Sequence, residues 1–436
     1  MAALRCGYWN IHGHKSKMVG NKFCDPDFLK LLSDRDIIGI GEIQSASEVS
    51  IPGFVNLKQK IREKKIKGPK IAGGVGVFVR EDIAHLVQVV PNNNDDSIWI
   101  KIKTHGLNEM EKIYLGTYYV SPYNKSRKDY DFFTEINEEI TYFRKKGTVL
   151  VQGDLNARFG REQEYIEPDK SDAQFGVESP DTHSIRNSED QNKNTRGNEL
   201  LDICKLNDML IVNGRRAGDI FGKYTCHNWN GSSVVDYFLS PNYFCDKITN
   251  FSVGKYVPWL SDHCIIKANI LLNDNLDRKD SSDMESIKVH PGFLWNEFSK
   301  CEYQNVLQSP SVTTKINALL SCSNLKASDL ASEIKNILMA STKMSGLKLK
   351  KVLMKEQRNS DPWFDSECKD AKNTLNCLSK NLRKTPGDQK IREQLFREKK
   401  NLKKIMIAKK RRYKKKVISE LENKKHGGNQ KEFWKI

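Results

Sequence analysis

Apolar residues fall in short runs over the first 270 positions and take helical spacing beyond about position 360. Leu4–Asn10 (LRCGYWN), Asp36–Gly41 (DIIGIG), Gly73–Arg80, Ser97–Lys103, Lys112–Val120, Val149–Val151, Met209–Asn213 and Cys264–Leu272 are apolar runs of strand length. Runs of this kind, bounded by glycine, proline or polar clusters, predict strands. Lys223–His227 and Ser233–Leu239 predict a further strand pair. Phe28–Leu32 and Asp129–Lys145 have helical character, as does Gly197–Leu206, where Leu200, Leu201, Ile203 and Cys204 line one face. Residues 161–192 are polar and acidic, and predict a surface loop. Strands alternating with a few helices predict an α/β sandwich rather than a helical bundle.

The pattern changes at Asn273–Ser286, NDNLDRKDSSDMES, which reads as the end of a domain spanning 1–273 and a linker over 274–290. Residues 291–360 predict a weakly helical connector, and 361–436 a helical hairpin. Asp361–Lys384 opens with PWFD and continues as a helix, Pro386-Gly387-Asp388 turns the chain, and a second helix runs from Gln389 to Lys425. Ile391, Leu395, Leu402, Met406, Tyr413 and Val417 stay on one side of that helix, leaving Lys and Arg to fill the rest.

Charge sharpens the division. Residues 343–436 carry 29 Lys/Arg against 11 Asp/Glu, whereas residues 1–342 carry 43 against 44. The whole excess of positive charge thus sits in the last fifth of the chain, and a basic tail predicts a polyanionic partner, RNA or DNA. A second basic run, Lys58, Lys60, Arg62, Lys64, Lys65, Lys67 and Lys70, precedes a glycine-rich strand and suits contact with a phosphate backbone. The ten cysteines form no CxxC pair and no dense cluster, which argues against a disulfide framework or zinc ribbon and for a reducing setting. The start, MAALRCGYWN, has no signal-peptide core, and no apolar run approaches the ~20 residues needed to span a bilayer. A soluble protein without a membrane partner is expected.

The chemistry gathers around Thr148–Gly160, TVLVQGDLNARFG. A short apolar strand ends at Gly153, and Asp154 and Asn156 follow two residues apart, so in an extended segment both point to one face. Similar polar residues end other predicted strands: Asn10, Glu42, Tyr119 (with Tyr118 as an alternative), Asp262 and His263, while Asp236 interrupts an apolar run. Singly each has an ordinary structural explanation. Together they supply carboxylates for a hard divalent cation, amides and a phenol for phosphate oxygens, and a histidine with acids to fix its tautomer.

In order along the chain, Trp9-Asn10, Gly41-Glu42, Tyr119–Pro122, Gly153–Ala157 (GDLNA), Val235–Leu239 (VDYFL) and Ser261–His263 (SDH) resemble the motifs of the endonuclease/exonuclease/phosphatase superfamily. The resemblance implies a four-layer α/β fold, two packed mixed β-sheets flanked by helices, with the site in a cleft at their edge. It implies Mg²⁺-dependent phosphodiester hydrolysis, with Mn²⁺ as a substitute. Glu42 then matches the principal metal ligand, with Asn10 and Asp262 nearby. Asp154 matches the residue that positions or deprotonates the attacking water, Asn156 and Tyr119 the phosphate-orienting groups, and His263 a phosphate-contacting or general-base histidine oriented by Asp236.

Within that superfamily the chain is most similar to the endonuclease of non-LTR (LINE-type) retrotransposons, through Arg186–Arg215, Thr225, Pro362–Cys368 and Lys431–Lys435. Thr225, Ser261 and Asn156 with Lys64, Lys65 and Lys67 are then the substrate-binding candidates. The resemblance implies a DNA endonuclease that nicks target DNA to prime reverse transcription, working in the nucleus after passage through the cytoplasm. It also implies that this chain is the front part of a longer polyprotein, ahead of a reverse transcriptase, or a truncated or domesticated copy of one. An abasic-site repair endonuclease is the competing enzyme, disfavoured because repair members have N-x-D-G where this chain has His12 in Asn10–Gly13. A catalytically inactive nucleic-acid-binding relic is the non-enzymatic alternative.

Overall fold

A computed structural model of the chain describes residues 3–61, 73–103, 112–122, 132–165, 186–272, 297–321, 327–345 and 362–426. The chain divides into two compact units, Met1–Asp280 with Ser360–Ile436, and Ser281–Asn359.

In the first unit β1 (Ala3–Asn10) is followed by the two-residue strands β2 (Lys15–Ser16) and β3 (Gly20–Asn21), by α1 (Pro26–Leu32) and by β4 (Ile37–Gly41). The Asp25 side chain caps α1 by accepting from the amides of Asp27 and Phe28, and Pro26 takes the first turn, where an N–H would have no helical partner anyway. β5 (Phe54–Lys60), β6 (Val75–Arg80), β7 (Val87–Val90), β8 (Ser97–Ile102) and β9 (Ile113–Tyr119) lead to α2 (Phe132–Arg144) and β10 (Thr148–Asp154). Then come α3 (Thr195–Leu206), β11 (Met209–Ile211), the hairpin of β12 (Cys226–Asn228) and β13 (Gly231–Ser233), β14 (Asp236–Pro241), β15 (Ile248–Val253) and β16 (Ile266–Leu271).

The long strands build two six-stranded mixed sheets, ordered β15-β16-β1-β4-β6-β5 and β11-β14-β10-β9-β8-β7. Each contains one parallel pair, β1 with β4 and β9 with β10. Parallel neighbours need a crossover, and α1 and α2 lie in those two connections. Each parallel pair therefore ends on one edge, with Asn10 opposite Gly41 and Tyr119 opposite Asp154.

The sheets pack face to face so closely that a Cβ on Gly39 would lie 2.5 Å from the Thr117 methyl. Their outer faces are covered by helices. Trp9 stacks on Phe28 of α1, with Phe23 edge-on beside it. On the other side Phe143 of α2 stacks on Trp99, and Leu200, Leu201 and Cys204 of α3 complete a second core cluster. The result is the four-layer α/β sandwich expected.

Several local expectations need correction. The segment expected as a surface loop carries buried Glu164, Arg186 and Asp190. Glu164 is held by Arg186 at 3.3 Å and Arg215 at 2.5 Å, and Asp190 by Arg158 at 2.7 Å. Lys223–His227 does not pair with Ser233–Leu239 as two long strands. Its end pairs with Gly231–Ser233, and the run from Asp236 joins the second sheet. β15, ITNFSV, is a half-buried edge strand in which polar residues interrupt the apolar run that marks the inner strands. The basic run contributes Lys58 and Lys60 to β5, while Lys64, Lys65 and Lys67 lie outside the described residues.

The second unit consists, among the described residues, of α4 (Glu297–Leu307), α5 (Pro310–Ser321) and α6 (Ala327–Met344). The chain returns to the first unit with α7 (Ser366–Lys384), capped by Asp365, and the 38-residue α8 (Gln389–His426). The hairpin was expected as a basic tail apart from the sandwich. Instead Cys368, Leu375, Leu378 and Leu382 of α7 and Leu395, Leu402 and Met406 of α8 join the same core cluster as β1, β4 and β16. Beyond Met406 the apolar stripe meets no core, and Tyr413 is exposed.

Candidate active site

Four elements that end on one edge supply the site. The β10–β14 register sets Asp154 directly opposite Asp236. Both are buried, and like charges so placed cannot both ionise freely. Burial first, and the Asp236 charge next, push the Asp154 carboxyl up to about 7, against the pull of His263 and the Asn10 amide.

Asp154 Oδ2 accepts from Asn10 Nδ2 at 2.8 Å, and Oδ1 from the Asn156 amide at 3.1 Å. His263 Nδ1 lies 2.8 Å from Asp236 Oδ2, and its Nε2 faces Asp154 Oδ2 at 4.0 Å. Burial pulls the imidazole down, yet Asp236 and the neighbouring Cys226 thiol outweigh it and hold His263 well above its ordinary value. The other Asp236 oxygen, Oδ1, is buried and, among the described residues, has no hydrogen-bond partner.

A second group sits beside the first. His12 Nδ1 lies 3.8 Å from Glu42 Oε1 and 3.6 Å from Asp262 Oδ1, so the imidazole sits between these two carboxylates. Burial pushes the Asp262 carboxyl up, but His263, His12 and Lys399 together hold it below its ordinary value. Asn10 Oδ1 accepts from the His12 amide at 3.0 Å and Glu42 Oε1 from Gln44 Nε2 at 2.7 Å. Carboxylate oxygens are the donors a hard divalent cation prefers, and Glu42 and Asp262 supply them on either side of His12. Among the described residues two trios bring their ligand atoms within 4.8 Å of one another, Asp154 with Asp236 and His263, and Cys226 with Asp262 and His263; Glu42 belongs to neither.

Local backbone fixes these positions. His12, Glu42, Gln44 and Asn156 all have φ near +50°, a conformation that costs a residue other than glycine about 1–3 kcal/mol. Four such residues at one edge mark a place where the chain is bent to aim side chains. Gly41 must be glycine, since a Cβ there would lie 2.0 Å from the Tyr8 hydroxyl.

The remaining candidates divide by role. Tyr119 is buried with its ring beside Gly41, whereas the Tyr118 hydroxyl turns to the other face and donates to Glu139 at 2.6 Å. Asn156 does not share an extended face with Asp154, because β10 ends at Asp154 and the chain turns. Its side-chain amide donates to the Val120 carbonyl at 2.7 Å. Thr225 and Ser261 are buried ties. Thr225 Oγ1 accepts from the Val235 and Asp236 amides, and Ser261 Oγ donates to the Asn10 carbonyl while accepting from the His263 amide.

Sequence reading missed Tyr8, Cys226 and Lys22. Tyr8 is two residues before Asn10 on the same strand face, a signal the alternation of β1 carries. Cys226 is brought to His263 by an isolated bridge that nothing local encodes. Lys22 is 2% exposed, with Nζ donating to the Ile11 carbonyl at 2.5 Å.

No family model and no curated protein matches the chain. Among solved structures it is similar to the endonuclease domain of TRAS1, a telomere-specific non-LTR retrotransposon, at 16% identity over 63% of this chain and 100% of that one, with a TM-score of 0.38. It is also similar to AP endonuclease LMAP from Leishmania major, at 12% identity over 62% and 88%, with a TM-score of 0.43. For the 3′-5′ exonuclease NExo from Neisseria meningitidis the values are 15%, 62%, 100% and 0.38. Likeness of this degree carries no chemistry across, and the side chains of this chain must supply it. Among the described residues no helix is long and apolar enough to cross a membrane.

Proposed function

We propose that the chain is a metal-dependent phosphodiester hydrolase, a DNA endonuclease that nicks one strand and leaves a 3′-hydroxyl from which a reverse transcriptase can extend. The observation that carries this reading is the continuous set Asn10–Asp154–His263–Asp236 beside the carboxylates of Glu42 and Asp262. Glu42 and Asp262, with Asn10 adjacent, would hold a divalent cation, Mg²⁺ or in its place Mn²⁺. Such an ion neutralises charge on phosphate oxygens.

The protein groups divide the remaining work. An Asp154 carboxyl raised to about 7 suits a base that takes the proton of an attacking water at neutral pH. His263, held cationic by Asp236, presents Nε2 to the oxygens on which charge develops. Asn10 orients the Asp154 carboxylate, and Thr225 fixes the strand end that carries Asp236.

The reading is tested with supercoiled plasmid. Wild type should produce nicked circles with Mg²⁺ and none with chelator. Asp154→Asn and His263→Ala should each slow nicking by roughly 10²–10⁴-fold, the range of a lost acid or base. Glu42→Gln should raise the Mg²⁺ requirement as well. Variants that nick at the wild-type rate would remove the catalytic assignment.

A further inference from the structure

We propose that α8 forms one wall of this cleft, with Lys399 placed near Asp262 to hold a DNA phosphate that flanks the one being cleaved. The inference rests on the phosphodiesterase reading and goes beyond it by adding a substrate-positioning residue from the hairpin.

The placement follows from contacts on either side of Lys399. Arg392 donates to the Asn228 carbonyl at 2.9 Å and to Ser232 Oγ at 3.0 Å, and Phe396 meets Trp229 edge-on at 5.5 Å. Further along, Lys410 donates to the Met18 carbonyl at 2.9 Å. Positions 392, 396, 399, 403 and 410 fall on one helix face, so the stretch between the two anchors, roughly 27 Å long at 1.5 Å per residue, presents Lys399 and Lys403 inward. The surface beneath the first anchor is the site itself: the His227 amide donates to the Asp262 carbonyl at 2.8 Å, and Cys226 bridges to His263.

Lys399 acts electrostatically on Asp262, Cys226, Lys403 and Lys22. It is half-buried and, among the described residues, closes no ion pair; its ammonium lies 5.7 Å from the Phe396 ring. Lys22 is buried, with its Nζ on two backbone carbonyls rather than an acid. Lys22 is thus committed to backbone, whereas the half-buried Lys399 ammonium, with no close acid to neutralise it, is suited to a backbone phosphate.

The test measures DNA binding by the full chain carrying Asp154→Asn, in chelator and without divalent cation, so that cleavage does not intervene. Adding Lys399→Met should weaken binding of a duplex roughly tenfold at fixed salt and reduce the slope of log Kd against log salt by about 0.9, the value of one phosphate contact. Lys399→Arg should restore the slope. An unchanged affinity and slope in a Lys399→Met chain with a wild-type melting curve would overturn the proposal. So would faster nicking with tighter Mn²⁺ binding in the otherwise wild-type chain, which would make Lys399 an occupant of the cation site. Because binding is read without turnover, failure of the Asp154 and His263 variants to lose activity would refute the catalytic reading and leave this measurement standing.

Discussion

At the scale of single residues, the site depends on one carboxylate that does not touch substrate. Asp236 raises both partners: it holds the His263 imidazole cationic and adds to the burial that lifts Asp154. Asp236→Asn therefore lowers both at once. Nicking at pH 7.5 should fall by about 10²-fold or more, with partial recovery toward acid, where His263 regains its proton and the unlifted Asp154 remains ionised. A pH–rate profile from pH 5 to 9 checks this, and an unshifted optimum would contradict it.

A second buried histidine works in the opposite direction. Burial, then Arg383 and Arg392, pull His227 down to about 3. Between pH 6.5 and 3 the unfolded chain binds a proton there that the native chain does not, so stability is lost as pH falls. Taking His227→Asn as the reference, the wild type should lose about 2 kcal/mol more between pH 7 and pH 5, measured by urea unfolding.

Legibility at this scale follows chain geometry. Asn10, Asp154 and Asp236 stand where an apolar strand meets a polar residue, a contrast visible in one dimension. The identity of Glu42's neighbours was not, because His12 reaches it only through two left-handed backbone turns.

At the scale of elements, strand runs were legible and register was not. β1, β4, β9 and β10 appear within a residue or two of where apolar runs predict them, since a buried strand needs an unbroken apolar stretch. Nothing in those runs says that Asp154 lies opposite Asp236, which depends on the antiparallel pairing of β10 with β14 across some 80 residues. The polar stretch after β10 misled for a related reason. Its acids and arginines look solvated in sequence, yet Glu164 accepts from both Arg186 and Arg215 and from the Ile211 amide at the start of the turn to β14. Glu164→Ala would remove the buried counter-charge that Arg186 and Arg215 share. It should cost about 3–5 kcal/mol in urea unfolding, far more than an exposed acid would. A loss under 1 kcal/mol would mean that the segment is dispensable to the second sheet.

At the scale of the whole molecule, charge concealed what packing reveals. The hairpin holds most of the excess positive charge, so composition presents it as a tail, while a stripe of leucines with Cys368 and Met406 links it to the core. That stripe predicts how the molecule opens. Leu402 is fully buried, and Leu402→Ala should cost about 2–5 kcal/mol through lost burial and the cavity left behind. If α7 and α8 belong to one cooperative body with the sandwich, slow-exchanging amides in β1 and β4 should lose protection by the same free energy as those in α8. If the hairpin were an appended module, only α7 and α8 amides would exchange faster, and plasmid nicking would be untouched. The first outcome is expected, because the residues flanking Leu402 on that helix reach both sides of the cleft: Arg392 ties it to the β12–β13 hairpin and Lys410 to the turn at Met18. Loosening α8 should then weaken DNA binding even though Leu402 touches neither acid nor phosphate, linking the stability of one helix to the grip of the site.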